Sequence, residues 1–440
     1  MENLNLAEKS HQMIWHPCSQ MKDYETFKPL NIKSASGSLI ELENGEKIID
    51  AISSWWCKSL GHNHPRLKEA LFRQANLFEH VIFANTLSKP IIKLSEKLTN
   101  LTPHLKKIFY AGDGSCAVEV AMKMSIHARV IEGKTKKTKF IALENGYHGE
   151  TAAALSVSDV GIYKDAYQSI LFKPTIIKNI PYVSGKNDPL WHNAEEAWQK
   201  IKPQLEKHIE STTAIIFEPI IQGAGGMLIY SPDFLNRLAN WAQQNDIHLI
   251  ADEIMTGIAR TGKMLGIEHA NIHPDFICLS KGLTSGFMPF SAVLTTNNIY
   301  NLFYDDYEKG KSFLHSHTFS GNPLGAAIAL EALKIIEDEN IIKKAQNLNQ
   351  KMMTLFSQIA KNTGKIHNIR SVGGMIAGDL KTNNPKERLG FKLYQIATKE
   401  GILLRPLGNT IYWLPPLNIS DTDLEMLSDK TERAILKLND

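Results

Sequence analysis

Cysteine is scarce in this chain of 440 residues. The cysteines are Cys18, Cys57, Cys116 and Cys278. They form no C-x-x-C pair, so the sequence indicates neither a zinc cluster nor a disulfide framework. Two closely spaced histidine pairs also lack the further ligands that a metal site requires, and we predict no bound metal. Those pairs are His62 with His64, and His315 with His317.

Long apolar runs and an excess of one charge are also absent. No segment approaches the about 18 apolar residues of a membrane span, and the N-terminus lacks the apolar region of a signal peptide. Lys and Arg number 49 against 46 Asp and Glu, which leaves a formal charge of +3. This balance is too even for a surface that binds nucleic acid or an anionic membrane. We therefore expect a cytoplasmic globular protein that acts on small molecules.

Short apolar runs alternate with helical segments through the middle of the chain. Most runs are apolar throughout, which is typical of strands that are covered on both faces. The pattern predicts an α/β fold with an open, mostly parallel sheet between helices. The predicted strands are 107–110, 139–143, 214–217, 248–251, 275–279 and 290–294.

The two ends of the chain follow a different pattern. Residues 39–50 predict a β-hairpin around the Asn44-Gly45 turn, and a long helical stretch after Pro323 leads into an α/β tail. Because the hairpin has no obvious place in a parallel sheet, we expect it to pack with this tail. The predicted units are a segment 1–60 of a small α+β domain, a large domain 61–330, and a C-terminal small domain 331–440.

Polar residues follow several of the predicted strands, at the sheet edge where ligands of α/β folds gather. Gly114 and Ser115 open a helical segment, whose free amides and positive end would face an anion. Asp252 ends a strand, and a shielded carboxylate there can hold a proton on a ligand's ring nitrogen. Lys281 follows the next strand, where desolvation favours an imine-forming amine. Tyr147 follows a fourth strand and offers a ring to a planar ligand.

Each feature alone also has an ordinary structural interpretation. These are a capping turn, a solvated acid, a surface lysine and a tyrosine that rests on the core. Together, however, they supply an anion cradle, an acid for a ring nitrogen, an imine lysine and a stacking aromatic ring. Pyridoxal 5′-phosphate requires these four groups, and we predict that it is the cofactor.

Two segments resemble the signature of class III, fold-type I, pyridoxal-phosphate aminotransferases. They are 250–257 with Arg260-Thr-Gly262, and 277–282. Other segments resemble the members of that class that act in biotin biosynthesis, and the resemblance runs from about residue 12 to the last helix. Those segments are 14–17, 53–56, 63–65, 117–124, 222–226, 321–323 and 405–406. The implied fold is a large domain with a mostly parallel sheet and a smaller α+β domain from both termini.

The resemblance also implies roles for the candidate residues. Lys281 would carry the cofactor and move a proton, while Asp252 would keep the cofactor's ring nitrogen protonated. Tyr147 would lie over the ring and contact the substrate. Gly114 and Ser115 would hold the phosphate.

The same resemblance implies a homodimer with shared active sites. Thr318 of each subunit would reach the cofactor phosphate of the other, with His317 beside it, and Ser316 would contact the substrate. Ser316 and His317 replace a Gly-Pro pair that is usual in this group, but their backbone groups can still make the contacts.

The implied reaction converts 8-amino-7-oxononanoate into 7,8-diaminononanoate in biotin biosynthesis. Trp55 and Trp56 would form an apolar wall for this substrate, and Arg405 would bind its carboxylate. The amino donor is S-adenosylmethionine or lysine, and Cys18 leaves the choice open because tyrosine is common there. The alternatives are an ω-amino-acid or diamine aminotransferase and, more remotely, a cofactor-binding protein without turnover.

Overall fold

A computed structural model of the chain describes residues 5–384 and 387–439. The outer limits predicted for the domains, residues 1 and 440, lie outside the described residues. The helices are α1 Leu6–Met13, α2 Ser53–Trp56, α3 Pro65–Ala75, α4 Lys89–Leu101, α5 Gly114–Ile131, α6 Ala152–Ser156, α7 Gly161–Lys164, α8 Pro189–His192, α9 Glu195–Glu206, α10 Pro232–Gln244, α11 Asn297–Phe303, α12 Pro323–Asp338, α13 Ile341–Thr363, α14 Leu389–Lys399 and α15 Asp421–Leu436. Short 3₁₀ turns include Lys281–Thr284.

The strands form four sheets within the described ranges. They are β1 Ile32–Ser36, β2 Leu39–Leu42, β3 Lys47–Asp50, β4 Lys107–Ala111, β5 Lys139–Leu143, β6 Thr175–Ile177, β7 Tyr182–Val183, β8 Thr212–Phe217, β9 Ile221–Gln222, β10 Leu228–Tyr230, β11 His248–Asp252, β12 Phe276–Leu279, β13 Ser291–Thr295, β14 Ile366–Val372, β15 Met375–Leu380, β16 Ile402–Leu403 and β17 Thr410–Trp413.

The largest sheet has seven strands in the order β4-β13-β12-β11-β8-β5-β6. Strand β13 runs antiparallel to both neighbours, whereas the other pairs are parallel. Every residue of β8, β11, β12 and β13 is buried. These strands are apolar on both faces because helices, including α5, cover the sheet, as expected for a parallel sheet.

All six strands predicted from apolar runs are present in this sheet, and the mostly parallel arrangement is confirmed. The sequence analysis missed β6, a strand of three residues that is too short to give a periodic signal. It lies at the sheet edge and pairs only with β5.

The predicted hairpin is also present. Strands β2 and β3 pair antiparallel around Gly45, which has a φ of 85°. Strand β3 then pairs in parallel with β16, so this sheet joins the N-terminal hairpin to the C-terminal part of the chain. The predicted limit at residue 330 falls within α12, and the division into domains stays a prediction.

The long helical stretch predicted after Pro323 is divided into two helices. Helix α12 ends at Asp338, and Asn340 has a φ of 52° before α13 begins. Ser420 caps the last helix, α15, because its side chain accepts a hydrogen bond from the amide of Asp423. Across the described ranges, no helix combines the length and apolar character that crossing a bilayer would require.

Candidate active site

Six of the seven strands of the largest sheet end at one edge, and the predicted polar residues follow four of them. Gly114 and Ser115 come after β4, Tyr147 after β5, Asp252 at the end of β11 and Lys281 after β12. The parallel register places Asp252 opposite Cys278, close to the position where β12 leads to the lysine. The structure therefore brings these side chains to one site.

Lys281 begins a 3₁₀ turn with a φ of 40°, a left-handed backbone conformation that is uncommon for a residue with a side chain. Its ammonium nitrogen lies 4.4 Å from the centre of the Trp56 ring. Burial lowers the pKa of Lys281, and the nearby Asp252 and Glu218 oppose that shift without cancelling it. The side chain is thus biased towards the neutral amine, which is the nucleophilic form.

Asp252 is buried and has partners on both oxygens. Its Oδ2 lies 2.8 Å from Nδ1 of His148, and its Oδ1 accepts a hydrogen bond from the amide of Ile254. The other ring nitrogen of His148 is buried and has no hydrogen-bond partner among the described residues. A buried carboxylate oriented by an imidazole is suited to hold a proton on a ligand nitrogen.

Tyr147 is fixed by two carboxylates. Its amide donates to Glu218 Oε1 at 2.9 Å, and its hydroxyl donates to Glu150 Oε1 at 3.0 Å. Burial, together with the negative charge of Glu150, raises the pKa of the Tyr147 hydroxyl well above its usual range. The hydroxyl therefore stays protonated at neutral pH.

Glu218 also accepts a hydrogen bond from the amide of Gly223. Burial raises the pKa of Glu218 to about 7, and the negative charge of Asp252 adds to the shift. The two backbone amides that it binds oppose this effect. Glu218 therefore titrates close to neutral pH.

An anion-sized cradle forms where α5 begins. Asp113 caps the helix by accepting a hydrogen bond from Cys116 N, and the Ser115 hydroxyl lies 2.7 Å from that of Thr151. Gly149 has a φ of 127°, and a Cβ there would lie 2.7 Å from the Ser115 Cβ. Glycine thus keeps this space open beside the helix N-terminus, where backbone amides favour an anion.

The two adjacent tryptophans lie on a turn with unusual geometry. Ser53, Ser54, Trp55 and Trp56 all have positive φ values, so α2 is a left-handed turn. Trp56 is buried, and its indole N–H donates to the Tyr412 hydroxyl at 3.0 Å. Packing of this kind agrees with an apolar wall beside the lysine.

Trp55, in contrast, is 42% exposed. The guanidinium of Arg405 lies 4.6 Å from its ring centre, a cation–π contact. Arg405 also donates to the backbone carbonyl of Cys18, whose thiol lies 3.9 Å from the Tyr163 hydroxyl. The predicted substrate residues thus form two adjoining walls, one at the lysine and one at the arginine.

The loop with Ser316, His317 and Thr318 lies elsewhere in the subunit. It contacts residues outside the site: the Thr318 carbonyl is 2.8 Å from Nε2 of His80, and Nε2 of His317 is 3.3 Å from that of His315. In the described part of one subunit, no hydrogen bond or ring contact links the three residues to the lysine or to its carboxylates. One chain alone does not bring them into the site.

These features match the chemical requirements of pyridoxal phosphate. The cradle at α5 suits its phosphate, the oriented Asp252 suits its ring nitrogen, and the desolvated Lys281 suits its aldehyde. The Nε2 of His148, on the ring whose Nδ1 contacts Asp252, is a buried polar atom without a hydrogen-bond partner among the described residues. Fold and site together define a pyridoxal-phosphate-dependent transferase of the α/β type.

Comparison with known proteins specifies the family. The family model described as aminotransferase class-III matches residues 20–435, and the chain belongs to this family of pyridoxal-phosphate enzymes. The family, the fold class and the cofactor predicted from the sequence are confirmed.

Curated relatives extend this result. The chain is 42% identical to the adenosylmethionine-8-amino-7-oxononanoate aminotransferase of Helicobacter pylori, over 96% of this chain and 95% of that protein. The crystal structure of the enzyme with that name from Methanocaldococcus jannaschii has a TM-score of 0.89, with 32% identity and 98% of each chain covered. An omega transaminase from Pseudomonas jessenii in complex with PMP has a TM-score of 0.90 at 27% identity, covering 99% of this chain and 98% of that chain.

Sequence reasoning missed three side chains of the site. Glu218 directly follows β8, as Asp252 ends β11, so the same strand-end signal could have found it. His148 adjoins Tyr147 in sequence, but its contact with Asp252 joins residues far apart in the chain. Tyr163, whose ring centre lies 5.8 Å from that of Tyr147, gives no sequence signal at all.

Gly149→Ala tests the cradle. We expect the added methyl group to displace Ser115 and to raise the dissociation constant of pyridoxal phosphate about tenfold, measured by equilibrium dialysis. Gly133→Ala is the matched control, because Gly133 also has a positive φ but has no atom within 4 Å of its added Cβ. Both variants should lose about 1–2 kcal/mol of unfolding free energy from backbone strain. Equal cofactor affinity in the two variants would contradict the assignment.

Proposed function

We propose that this enzyme transfers an amino group to 8-amino-7-oxononanoate and so forms 7,8-diaminononanoate in biotin biosynthesis. The observation that carries this proposal is the pair of adjoining indole walls. The Trp56 ring contacts the ammonium of Lys281, and the ring of the preceding residue, Trp55, contacts the guanidinium of Arg405. A substrate with a reactive carbonyl, an apolar chain and a terminal carboxylate fits this order of groups.

The names of the relatives support the same substrate. Proteins named adenosylmethionine-8-amino-7-oxononanoate aminotransferase are 34–42% identical to the chain in the first two matches, each over nearly the full length. By the same names, S-adenosylmethionine is the favoured amino donor, with lysine as the alternative. Cys18 is exposed and its carbonyl accepts a hydrogen bond from Arg405, so the residue at this position would contact the amino donor and influence which donor is used.

The protein groups have distinct roles in this proposal. When bound, pyridoxal phosphate supplies a protonated pyridine ring that withdraws electrons from the substrate carbon. Asp252, held by His148, would keep a proton on the ring nitrogen. The Lys281 amine, whose pKa burial lowers, takes and returns the proton at the substrate carbon. Tyr147, whose hydroxyl is fixed by Glu150, would stack on the ring.

An ω-amino-acid or diamine aminotransferase is the second candidate. It is favoured by the structural likeness to the Pseudomonas jessenii omega transaminase, at 27% identity. A short polar substrate, however, has little use for two indole walls that end at an arginine. A cofactor-binding protein without turnover would have no need for Lys281 and Asp252 together.

The half-reactions with each donor test the function directly. We expect purified enzyme to convert its bound cofactor on addition of S-adenosylmethionine or lysine, followed by absorbance, and then to form diamine from 8-amino-7-oxononanoate. Lys281→Ala should lose turnover entirely while its far-ultraviolet circular dichroism stays the same.

Lys137→Met is the control for Lys281→Ala. Burial also lowers the pKa of Lys137, but its ammonium donates to the carbonyls of Asn245 and Asp246, away from the site. This variant should keep its activity. Turnover of β-alanine or putrescine, without turnover of the keto acid, would assign the second candidate instead.

Arg405→Met tests carboxylate recognition. We expect the KM for 8-amino-7-oxononanoate to rise about 100-fold, since a charged hydrogen bond contributes roughly 1.5–3 kcal/mol, while the donor half-reaction changes little. Arg388→Met is the matched control, because the Arg388 guanidinium also stacks on an aromatic ring, Phe391, at 4.1 Å. A rise of the same size in both variants would remove Arg405 from the substrate site.

We further propose that two subunits share their sites. Exposed apolar side chains line the segment 77–87 and the loop 314–319, and an exposed patch of this kind is typical of an interface. The two segments adjoin: His80 contacts the Thr318 carbonyl and the Phe319 ring. This exposed surface supports the proposal that Ser316, His317 and Thr318 enter the site of a second subunit.

Complementation between inactive subunits tests the shared site. We expect Lys281→Ala and Thr318→Ala chains, each inactive or weak alone, to regain about a quarter of wild-type activity when co-expressed, because each mixed dimer has one intact site. If Thr318 serves its own subunit, the mixed dimer has no intact site and activity stays at the mean of the two parents. Light scattering on the purified mixture gives the subunit number.

A further inference from the structure

The turn that carries the two tryptophans adopts a backbone conformation that its residues do not favour. The φ values are 49°, 44°, 70° and 73° for Ser53, Ser54, Trp55 and Trp56. Hydrogen bonds run from Trp56 N to Ile52 O and from Cys57 N to Ser53 O, both at 2.9 Å, as in one turn of a left-handed helix. L-residues disfavour this hand, so interactions outside the turn must hold it.

Asp50 supplies those interactions. It is fully buried, and its Oδ1 accepts hydrogen bonds from Ile52 N at 3.2 Å and Ser54 N at 3.0 Å. Its Oδ2 accepts from the Ser54 hydroxyl at 2.7 Å and lies 2.8 Å from Nε2 of His62. One carboxylate thus fixes the start of the left-handed turn at the backbone and at a side chain.

The charge on Asp50 is secured by the same contacts. Burial raises its pKa, but the hydrogen bonds from His62 and Ser54 outweigh burial and hold the pKa below its usual value. The carboxylate is therefore ionised at neutral pH and acts as an acceptor on both oxygens.

The turn in its left-handed form touches both ends of the substrate site. The Trp56 ring lies 4.4 Å from Lys281 Nζ, and the Trp55 ring lies 4.6 Å from the Arg405 guanidinium. Just after the turn, Lys58 Nζ donates to the Gly286 carbonyl at 2.8 Å, in the loop that follows the lysine. A change in the turn would therefore move the walls at both charged groups at once.

We propose that Asp50 and His62 are positioning residues, which hold the left-handed turn 53–56 and thereby place Trp56 at Lys281 and Trp55 at Arg405. The proposal rests on the proposed function for the roles of the lysine and the arginine. Neither Asp50 nor His62 contacts those two residues directly in the described structure. Both act through the tryptophans.

A purely structural role makes a different prediction. A buried carboxylate that only stabilises the fold would, when neutralised, lower the melting temperature and leave the kinetic constants of the folded enzyme unchanged. A positioning role changes the KM for the keto acid and the local opening of the turn, even in enzyme that is fully folded.

The experiment compares Asp50→Asn, His62→Leu and His62→Gln holoenzymes with Asp275→Asn. The control residue Asp275 has a carboxylate that accepts a hydrogen bond from Leu249 N at 2.8 Å, and it precedes β12, at the other end of that strand from Lys281. The readouts are the KM and kcat for 8-amino-7-oxononanoate, the absorbance of the bound cofactor against pH, and hydrogen exchange of the peptide 52–58 by mass spectrometry.

We expect Asp50→Asn and His62→Leu to raise the KM about tenfold, with a smaller change in the donor half-reaction. Exchange in the peptide 52–58 should quicken about tenfold while β11 stays protected. His62→Gln keeps a donor at the position of the imidazole Nε2 and should stay within about twofold of wild type on both measures. Asp275→Asn neutralises a buried carboxylate away from the turn and should show neither effect.

Unchanged KM and unchanged exchange in His62→Leu would overturn the proposal, and so would failure of His62→Gln to retain function. If Asp50→Asn does not fold, the two His62 variants and Ser54→Ala decide the question. The proposed function is judged separately. If the wild-type enzyme does not accept the keto acid, the proposed function is wrong. Hydrogen exchange in the peptide 52–58 and the pH dependence of the cofactor absorbance would still test the positioning role of Asp50.

Discussion

The site depends on keeping the Lys281 amine close to carboxylates without letting it form an ion pair with either. Each carboxylate is already engaged: Asp252 by His148 and the amide of Ile254, and Glu218 by the amides of Tyr147 and Gly223. The lysine instead meets the face of Trp56. Because its surroundings desolvate it and give it no strong partner, its pKa falls and the amine remains available for chemistry.

This arrangement costs stability, and the direction of the cost follows from proton binding. Burial raises the pKa of Glu218 to about 7, so between its usual pKa and that value the folded state binds more protons than the unfolded one. Stability falls as the pH rises through this window. The lowered pKa of Lys281 has the reverse sign: folding releases a proton between the folded and the usual pKa, and stability rises with pH there. Near neutral pH both groups oppose folding, which the buried central sheet must offset.

The central sheet could be predicted from sequence because its strands are apolar throughout, and such runs report burial on both faces. Asp252 and Lys281 could be predicted as well, since each lies at the end of such a run. Residues whose role depends on contacts between distant segments could not. His148 contacts Asp252 only in the folded sheet, and Thr318 needs a second subunit under our proposal. The left-handed turn at Trp55 could not be predicted because none of its residues is of a type that favours positive φ.

Under our proposal, that turn lets two adjacent tryptophans contact opposite ends of one substrate. In an extended strand, successive side chains point to opposite faces, so neighbouring indoles could not adjoin along one surface. The left-handed turn allows it, at roughly 1–2 kcal/mol for each residue, and over four residues this approaches the whole net stability of an ordinary domain. The hydrogen bonds of Asp50 and the burial of Trp56 must offset that cost. Glycine would adopt this conformation at lower cost but has no side chain, and under our proposal the indole rings are what the substrate site needs at these positions.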